Sequence, residues 1–153
     1  MNDSKLPTLP CLCSSFRRTS RALTQLYEQS LRAVGLSSTQ FTVLQVLELA
    51  GETPQGKLGE MLAMDSTTLT RTLRIMTRHG WISERRGKDR RERWLRLAGR
   101  GEEQLNRSVP VWQKVQASLR QQLGAKEWEG LMRSTNQLTK VALEQLTAEG
   151  DSL

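Results

Sequence analysis

Histidine is all but absent from this chain. The single one, His79, falls at the end of a helical stretch, a position that the helix dipole favours for it. There is no glycine-rich phosphate loop, no paired-carboxylate motif and no cluster of metal-ligating side chains. No catalytic constellation is legible, so the chain reads as a non-enzyme that uses no cofactor. Cysteine is nearly as scarce, and Cys11 and Cys13 lie too close together to staple a fold. No apolar run approaches the length of a membrane span and no signal peptide opens the chain. A cytoplasmic protein with free thiols and no membrane partner is therefore expected. Aromatic residues make up 5% of the 153 positions and hydrophobic residues 37%, which is thin for a compact monomer. Part of the apolar surface is expected to be buried against a second copy.

What the chain does have is positive charge gathered in one place. The formal net charge is +7. Residues 71 to 100 hold eleven Lys/Arg against Glu84, Asp89 and Glu92, a net of +8. The other 123 residues hold twelve basic and thirteen acidic side chains, a net of −1. The segment RRGKDRRER, Arg85 to Arg93, alone has five arginines and a lysine. A field this localised calls for a polyanion, and nucleic acid is the commonest.

The apolar pattern gives the frame that carries the charge. Helical spacing runs from Leu12 through Phe16, Leu23, Leu26 and Val34, with Gly35 as the stop. Ser37 or Ser38 can cap a second helix bearing Phe41, Leu44 and Leu47. The segment GETP reads as a turn, followed by a short helix with Leu58, Met61 and Leu62 on its inner face. Met64 and Asp65 make a tight turn, and Asp65 is a good cap for a helix from Ser66 to about His79. WISERR and ERWLRL around GKDR then read as a two-stranded hairpin. Helical spacing returns with Leu105, Val109, Trp112, Leu119 and Leu123, broken at Pro110, and again with Trp128, Leu131, Leu138 and Leu146 after Gly124. Two short helices joined by a tight turn, the second followed by a basic hairpin, are the winged helix-turn-helix order. The fold class is thus mainly α with a small β-hairpin wing, in which the N- and C-terminal helices form a dimerisation domain.

Taken as a helix, STTLTRTLRIMTRH places Leu69, Leu73 and Met76 on one side and Thr67, Arg71, Arg74 and Arg78 on the other. That suits a helix entering a major groove. The small hydroxyls near its start, Ser66, Thr67, Thr68 and Thr70, allow close approach to base edges, and arginine can pair bidentately with guanine. Arg74 and Arg78 are better placed for phosphates. Arg90 and Arg91 lie at the hairpin tip, where an arginine can enter a narrow minor groove. Asp89 is either the acid that orients a neighbouring guanidinium or a simple turn former. An alternative for the same basic window is an RNA-binding or architectural protein. Sequence-specific RNA modules stack bases on aromatics, and only Trp81 and Trp94 are available here.

The run from Leu58 to Leu105 closely resembles the MarR family of bacterial transcription regulators. The family's wing carries an Asp-x-Arg motif, alternating apolar residues and a Thr-x-x-Gly helix start. This chain has Asp89-Arg90-Arg91, then Leu95 and Leu97, then Ala98-Gly99-Arg100-Gly101, with Ala98 in place of the usual Thr. The segment LYEQSLRAVGLSSTQFTVLQVL is similar to the family's first two helices. The resemblance, over roughly residues 12 to 147, implies a single domain over residues 1–153. Its DNA-binding lobe would span 37–97, and its dimerisation helices 8–36 and 98–148. It also implies a homodimeric repressor or activator that binds a pseudo-palindrome of double-stranded DNA and releases it on a signal.

The signal itself is left open as a small molecule, an oxidant or a metal. The hydroperoxide-sensing branch of the family has a reactive cysteine near the start of its first helix. Cys13 matches it when Tyr27 is aligned with that branch's helical tyrosine. Where the branch has a second tyrosine this chain has Ser38, and Tyr27 is the only tyrosine. Arg17, Arg18 and the helix N-terminus could favour a thiolate. A Cys-x-Cys pair could alternatively take a soft metal or metalloid with ligands from elsewhere. On the remaining alternative both thiols are bystanders to a small-molecule pocket. Between the two, Cys13 is expected to matter more than Cys11.

Overall fold

In the computed structural model, residues 6–89 and 91–150 are described. Contacts divide the chain into two compact units, Met1–Gln113 and Lys114–Leu153, and the division falls inside a long helix rather than in a linker.

The first unit opens with α1, Leu12–Leu31. The helical pattern continues to Val34, as its spacing predicts, but the last turn tightens into a 3-10 segment, Arg32–Val34, which Gly35 closes in the left-handed region at φ 76°. Helix α2, Ser38–Ala50, is capped by Ser37. The Ser37 hydroxyl accepts the Gln40 N–H at 3.1 Å, and Gln40 Oε1 accepts the Ser37 N–H at 2.9 Å. This reciprocal box satisfies two orphan donors. Ser38, not needed for the cap, ties α2 to α1 instead. Its N–H and hydroxyl both donate to Glu28 Oε1 at 2.8 Å.

The GETP segment is more than a turn. Thr53–Pro54 form a short strand, β1, so the sheet has three strands and not the two of a hairpin. With β2, Ile82–Arg86, and β3, Arg93–Leu97, the order is β1-β3-β2, antiparallel throughout. Thr53 pairs with Leu95 and Glu84 pairs with Leu95 from the other side. Pro54 can sit in this sheet because β1 is an edge strand, where a missing N–H breaks no ladder.

Helix α3, Gln55–Leu62, buries Leu58 and Gly59 but leaves Met61 exposed, against the expected inner face. The reason is close packing onto α4, Ser66–Arg78. A Cβ on Gly59 would touch Leu69 Cδ2 and the Met64 carbonyl, so the contact surface of α3 lies one side further round than its large residues indicate. Leu69, Leu73 and Met76 of α4 are fully buried with Leu44, Leu47 and Leu95.

Helix α5, Gly99–Leu123, runs straight through Pro110. The sequence pattern treats that proline as a break. Both Pro110 and Asn106, whose carbonyl loses its donor, are exposed, so the freed group lies on the solvent side of the helix. Gln104 Nε2 donates to the Val34 carbonyl at 2.5 Å, and Phe41 meets Trp112 at 5.9 Å between ring centroids. In the second unit, α6, Ala125–Gly150, exposes Leu131, Met132, Val141, Leu143 and Leu146.

The start of α5 is pressed against the wing's root. Ala98 N–H donates to the Trp81 carbonyl at 3.0 Å. A Cβ on Gly101 would run into that same carbonyl oxygen and come within 2.9 Å of Leu97 Cδ1. Backbone cannot give way as a flexible side chain can. Gly101→Ala is therefore expected to destabilise the fold by roughly 1–3 kcal/mol, measured by urea unfolding, whereas Gly130→Ala, with open space around it, is not.

Candidate nucleic-acid interface

The recognition surface starts from a cap. Asp65 Oδ1 accepts the Thr68 N–H at 2.9 Å, and Oδ2 accepts the Thr68 hydroxyl at 2.6 Å. These bonds hold the Asp65 carboxyl below its ordinary pKa. The buried face of α4 then fixes its roll. Ser66, Thr67, Arg71, Arg74 and Arg78 are all exposed. None of these three arginines has an ion pair among the described residues. The other two hydroxyls are engaged within the fold. Thr68 serves the cap, and half-buried Thr70 accepts from Gln55 Nε2 of α3 at 3.1 Å.

The wing sorts its arginines into paired and unpaired. Arg85 donates to both carboxylate oxygens of Glu52, at 2.8 and 2.6 Å, and lies 4.9 Å above the Trp94 ring. The pairing pushes the Glu52 carboxyl below its usual range and holds Arg85 more firmly protonated. Arg93 pairs with Glu84, which also accepts the Thr77 hydroxyl at 2.8 Å. Partial burial works to raise the Glu84 pKa, but the bonds from Arg93 and Thr77 outweigh it and the net direction is down. Arg96 Nε donates to Ser83 Oγ at 2.9 Å. Arg91 is exposed and has no carboxylate partner among the described residues. Arg90, its expected companion at the tip, lies outside the described residues.

Asp89 bonds to backbone within the turn. Its Oδ1 accepts the Arg91 backbone N–H at 2.9 Å and its carbonyl accepts the Glu92 N–H, also at 2.9 Å. Among the described residues it holds no guanidinium. Beside this tip, Glu84, Arg85, Arg86, Arg91 and Arg93 line an open groove of about 530 Å³. Glu52 is a site residue that sequence reasoning missed. It lies 33 residues from Arg85, and no local pattern links the two.

Neither tryptophan of the basic window offers a bare ring. Trp81 is buried and stacks on His79 at 4.4 Å, and Arg85 covers Trp94.

The two cysteines stand at the start of α1. Cys11, not Cys13, is the cap residue of α1. The Ser14 N–H, then its hydroxyl, then the Cys13 N–H lower the Cys11 thiol pKa. Both thiols are exposed. Arg18, offered as a thiolate neighbour, donates instead to the Pro7 carbonyl at 2.8 Å. Tyr27 is half-buried against the core, with its pKa raised by burial. It sits fourteen residues beyond Cys13 on the same helix, about 21 Å away at 1.5 Å per residue, so the two do not meet within one chain. No group of three metal-ligating side chains occurs among the described residues, and no helix there is long and apolar enough to cross a membrane.

A short helix, a tight turn, a capped helix with a cationic outer face and a three-stranded basic wing define a winged helix-turn-helix protein. The sequence model of the MarR family matches residues 36–92. The regulator SarZ of Staphylococcus epidermidis is 30% identical over 105 residues, covering 68% of this chain and 71% of SarZ. The uncharacterized HTH-type regulator YwoH of Bacillus subtilis is 29% identical over 91 residues, which span 60% of this chain and 66% of YwoH. Among solved structures, the transcriptional regulator MosR of M. tuberculosis, in complex with DNA, superposes with a TM-score of 0.79 at 34% identity, over 88% of this chain and 97% of MosR. MarR of E. coli with operator DNA shares the fold, with a TM-score of 0.74 at 22% identity over 83% and 92%. The chain belongs to the MarR family of transcription regulators.

The lowered Cys11 thiol pKa makes a direct prediction. In a Cys13→Ser background, Cys11 should be alkylated by iodoacetamide at neutral pH faster than an ordinary thiol. Adding Ser14→Ala removes the hydroxyl donor, moves the pKa back up and slows the reaction. Rates measured across pH 6 to 9 should show the profile shifting to higher pH; an unshifted profile would mean that the cap geometry leaves the thiol unchanged.

Proposed function

We propose that this chain is a homodimeric, sequence-specific DNA-binding transcription regulator, a cytoplasmic repressor without a cofactor. It leaves a pseudo-palindromic operator when a small-molecule or thiol-directed signal arrives. The observation that carries the reading is the arc of Arg71, Arg74 and Arg78 on α4. All three are exposed and without ion pairs among the described residues, and Arg91 stands likewise on the wing. Water solvates each of these guanidiniums, but gathered together they repel one another, and phosphate relieves that repulsion.

In this reading α4 enters the major groove with its hydroxyl-bearing N-terminal turn and its arginines. The wing brings Arg91, and Arg90 beside it, to the flanking minor groove. Exposed apolar residues of α1 (Leu12, Phe16, Leu23 and Leu26) and of α6 support burial against a second copy. Two such copies would meet half-sites about one helical turn, ~34 Å, apart. For the signal, the cap position of Cys11 makes it the better thiol candidate, with Cys13 as the residue to which an oxidised Cys11 could bond. The relatives' DNA complexes agree with the DNA-binding part of the reading. The covered rings of Trp81 and Trp94 do not favour the RNA alternative.

The test is selection of duplexes from a random-core pool by the wild-type chain, with binding stoichiometry read by sedimentation. Two chains per enriched, dyad-symmetric duplex are expected, and no enrichment would refute the proposal. On the enriched duplex, Arg91→Ala should weaken binding by roughly 1–3 kcal/mol and blunt any preference for A·T-rich flanks. Arg74→Ala should weaken all duplexes alike and lower the log–log salt slope by about one unit.

A further inference from the structure

We propose that Glu84 is a positioning residue of the DNA interface: it locks the wing to α4 and withdraws Arg93 from the arginines open to phosphate. The inference rests on the DNA-binding reading above. Glu84 stands on β2, and its two carboxylate oxygens serve two other elements. Oε1 accepts the hydroxyl of Thr77, from α4, at 2.8 Å, and Oε2 holds the guanidinium of Arg93, from β3. Its side chain is 23% exposed, while Thr77 and Arg93 are open to solvent.

The place of the contact gives it leverage. Thr77 lies seven residues, about two turns, after Thr70 on the flank of α4 beside the exposed arginines. Thr70 is bonded to Gln55 of α3, and Thr77 to the sheet. The flank is thus tied at both ends. On the wing side, Arg86 opposite Arg93 is the last ladder pair before the tip that presents Arg91. Fixing Arg93 to Glu84 fixes the base of that tip against the helix.

Charge alone argues the opposite effect. An acid on a surface meant for phosphates repels them, and removing it should strengthen binding to any DNA. The two views therefore predict opposite signs on a specific site. The probes are a duplex enriched by the wild-type chain from a random-core pool and a shuffled duplex of the same composition. Glu84→Ala is expected to weaken binding to the enriched duplex about tenfold. It should bind the shuffled duplex at least as tightly as wild type. The salt slope should steepen by about one unit as the freed Arg93 finds a phosphate. Glu84→Gln keeps one carbonyl oxygen to accept from Arg93, while its amide N–H can donate to the Thr77 hydroxyl, and should keep part of the specificity ratio. Thr77→Val should lose part of it and Thr77→Ser retain it.

If Glu84→Ala tightens both duplexes equally, the acid is only an unfavourable charge and the proposal fails. If it weakens both equally with an unchanged slope and Gln does not rescue, its role is only structural, and the proposal fails again. Should Glu84→Ala melt below the working temperature, the Thr77→Val and Thr77→Ser pair decides by the same ratio. Failure of the wild-type chain to enrich any duplex overturns the DNA-binding reading itself, and so is distinct from failure here.

Discussion

The roll of α4 about its own axis is fixed by the burial of Leu69, Leu73 and Met76, and the displayed surface depends on it. Burying each such side chain contributes roughly 1.5–3 kcal/mol. Turning the helix by one residue, about 100°, would expose apolar surface and drive an arginine toward the core. A buried guanidinium without a partner costs far more than the lost packing. The arc from Thr67 to Arg78 therefore faces outward with no competitive alternative. The Asp65 cap sets where that arc begins, and the tie from Gln55 to Thr70 holds its flank against α3.

The cationic window is organised by acids. Eleven basic residues between Arg71 and Arg100 would make a diffuse field if all were alike. They are not. Glu52 takes Arg85, Glu84 takes Arg93, and Asp89 shapes the tip by accepting the Arg91 backbone N–H. These exposed ion pairs contribute little to stability individually. What they change is availability: Arg85 and Arg93 are taken up, while Arg71, Arg74 and Arg78 of α4 and Arg91 at the tip have no ion pair among the described residues. In the DNA-binding reading, register on a duplex comes from those few side chains rather than from net charge.

Much of this was readable in advance. The alternation of Leu69, Leu73 and Met76 with arginines shows which face of α4 packs, because helical neighbours at i, i+3 and i+4 are local. Asp65 and Ser37 announce their caps for the same reason. The turn signal GKDR between two β-compatible runs put Asp89 in a turn between strands, with Arg91 at its tip. Other features resisted. Thr53–Pro54 is a strand only because Leu95 and Trp94 pair with it. Met61 reads as core by its type, yet Gly59 is the contact residue, since a glycine allows two helices to approach closely. Pro110 reads as a break, yet α5 continues because the affected turn faces water. Cys11 and Cys13 differ by two residues, and which of them caps α1 turns on where the helix begins.

The sequence by itself determined where the charge lies, which helix faces are apolar, and which residues cap. Each of these depends on side chains within four positions of one another. Only the tertiary structure decided which arginines remain unpaired. Glu52 reaches Arg85 across 33 residues, and Glu84 gathers Thr77 from a helix and Arg93 from the opposite strand. Hydrogen bonds and close ion pairs need their atoms within about 4 Å, so they are set by distance in space. A one-dimensional pattern does not carry that distance until the chain has closed on itself.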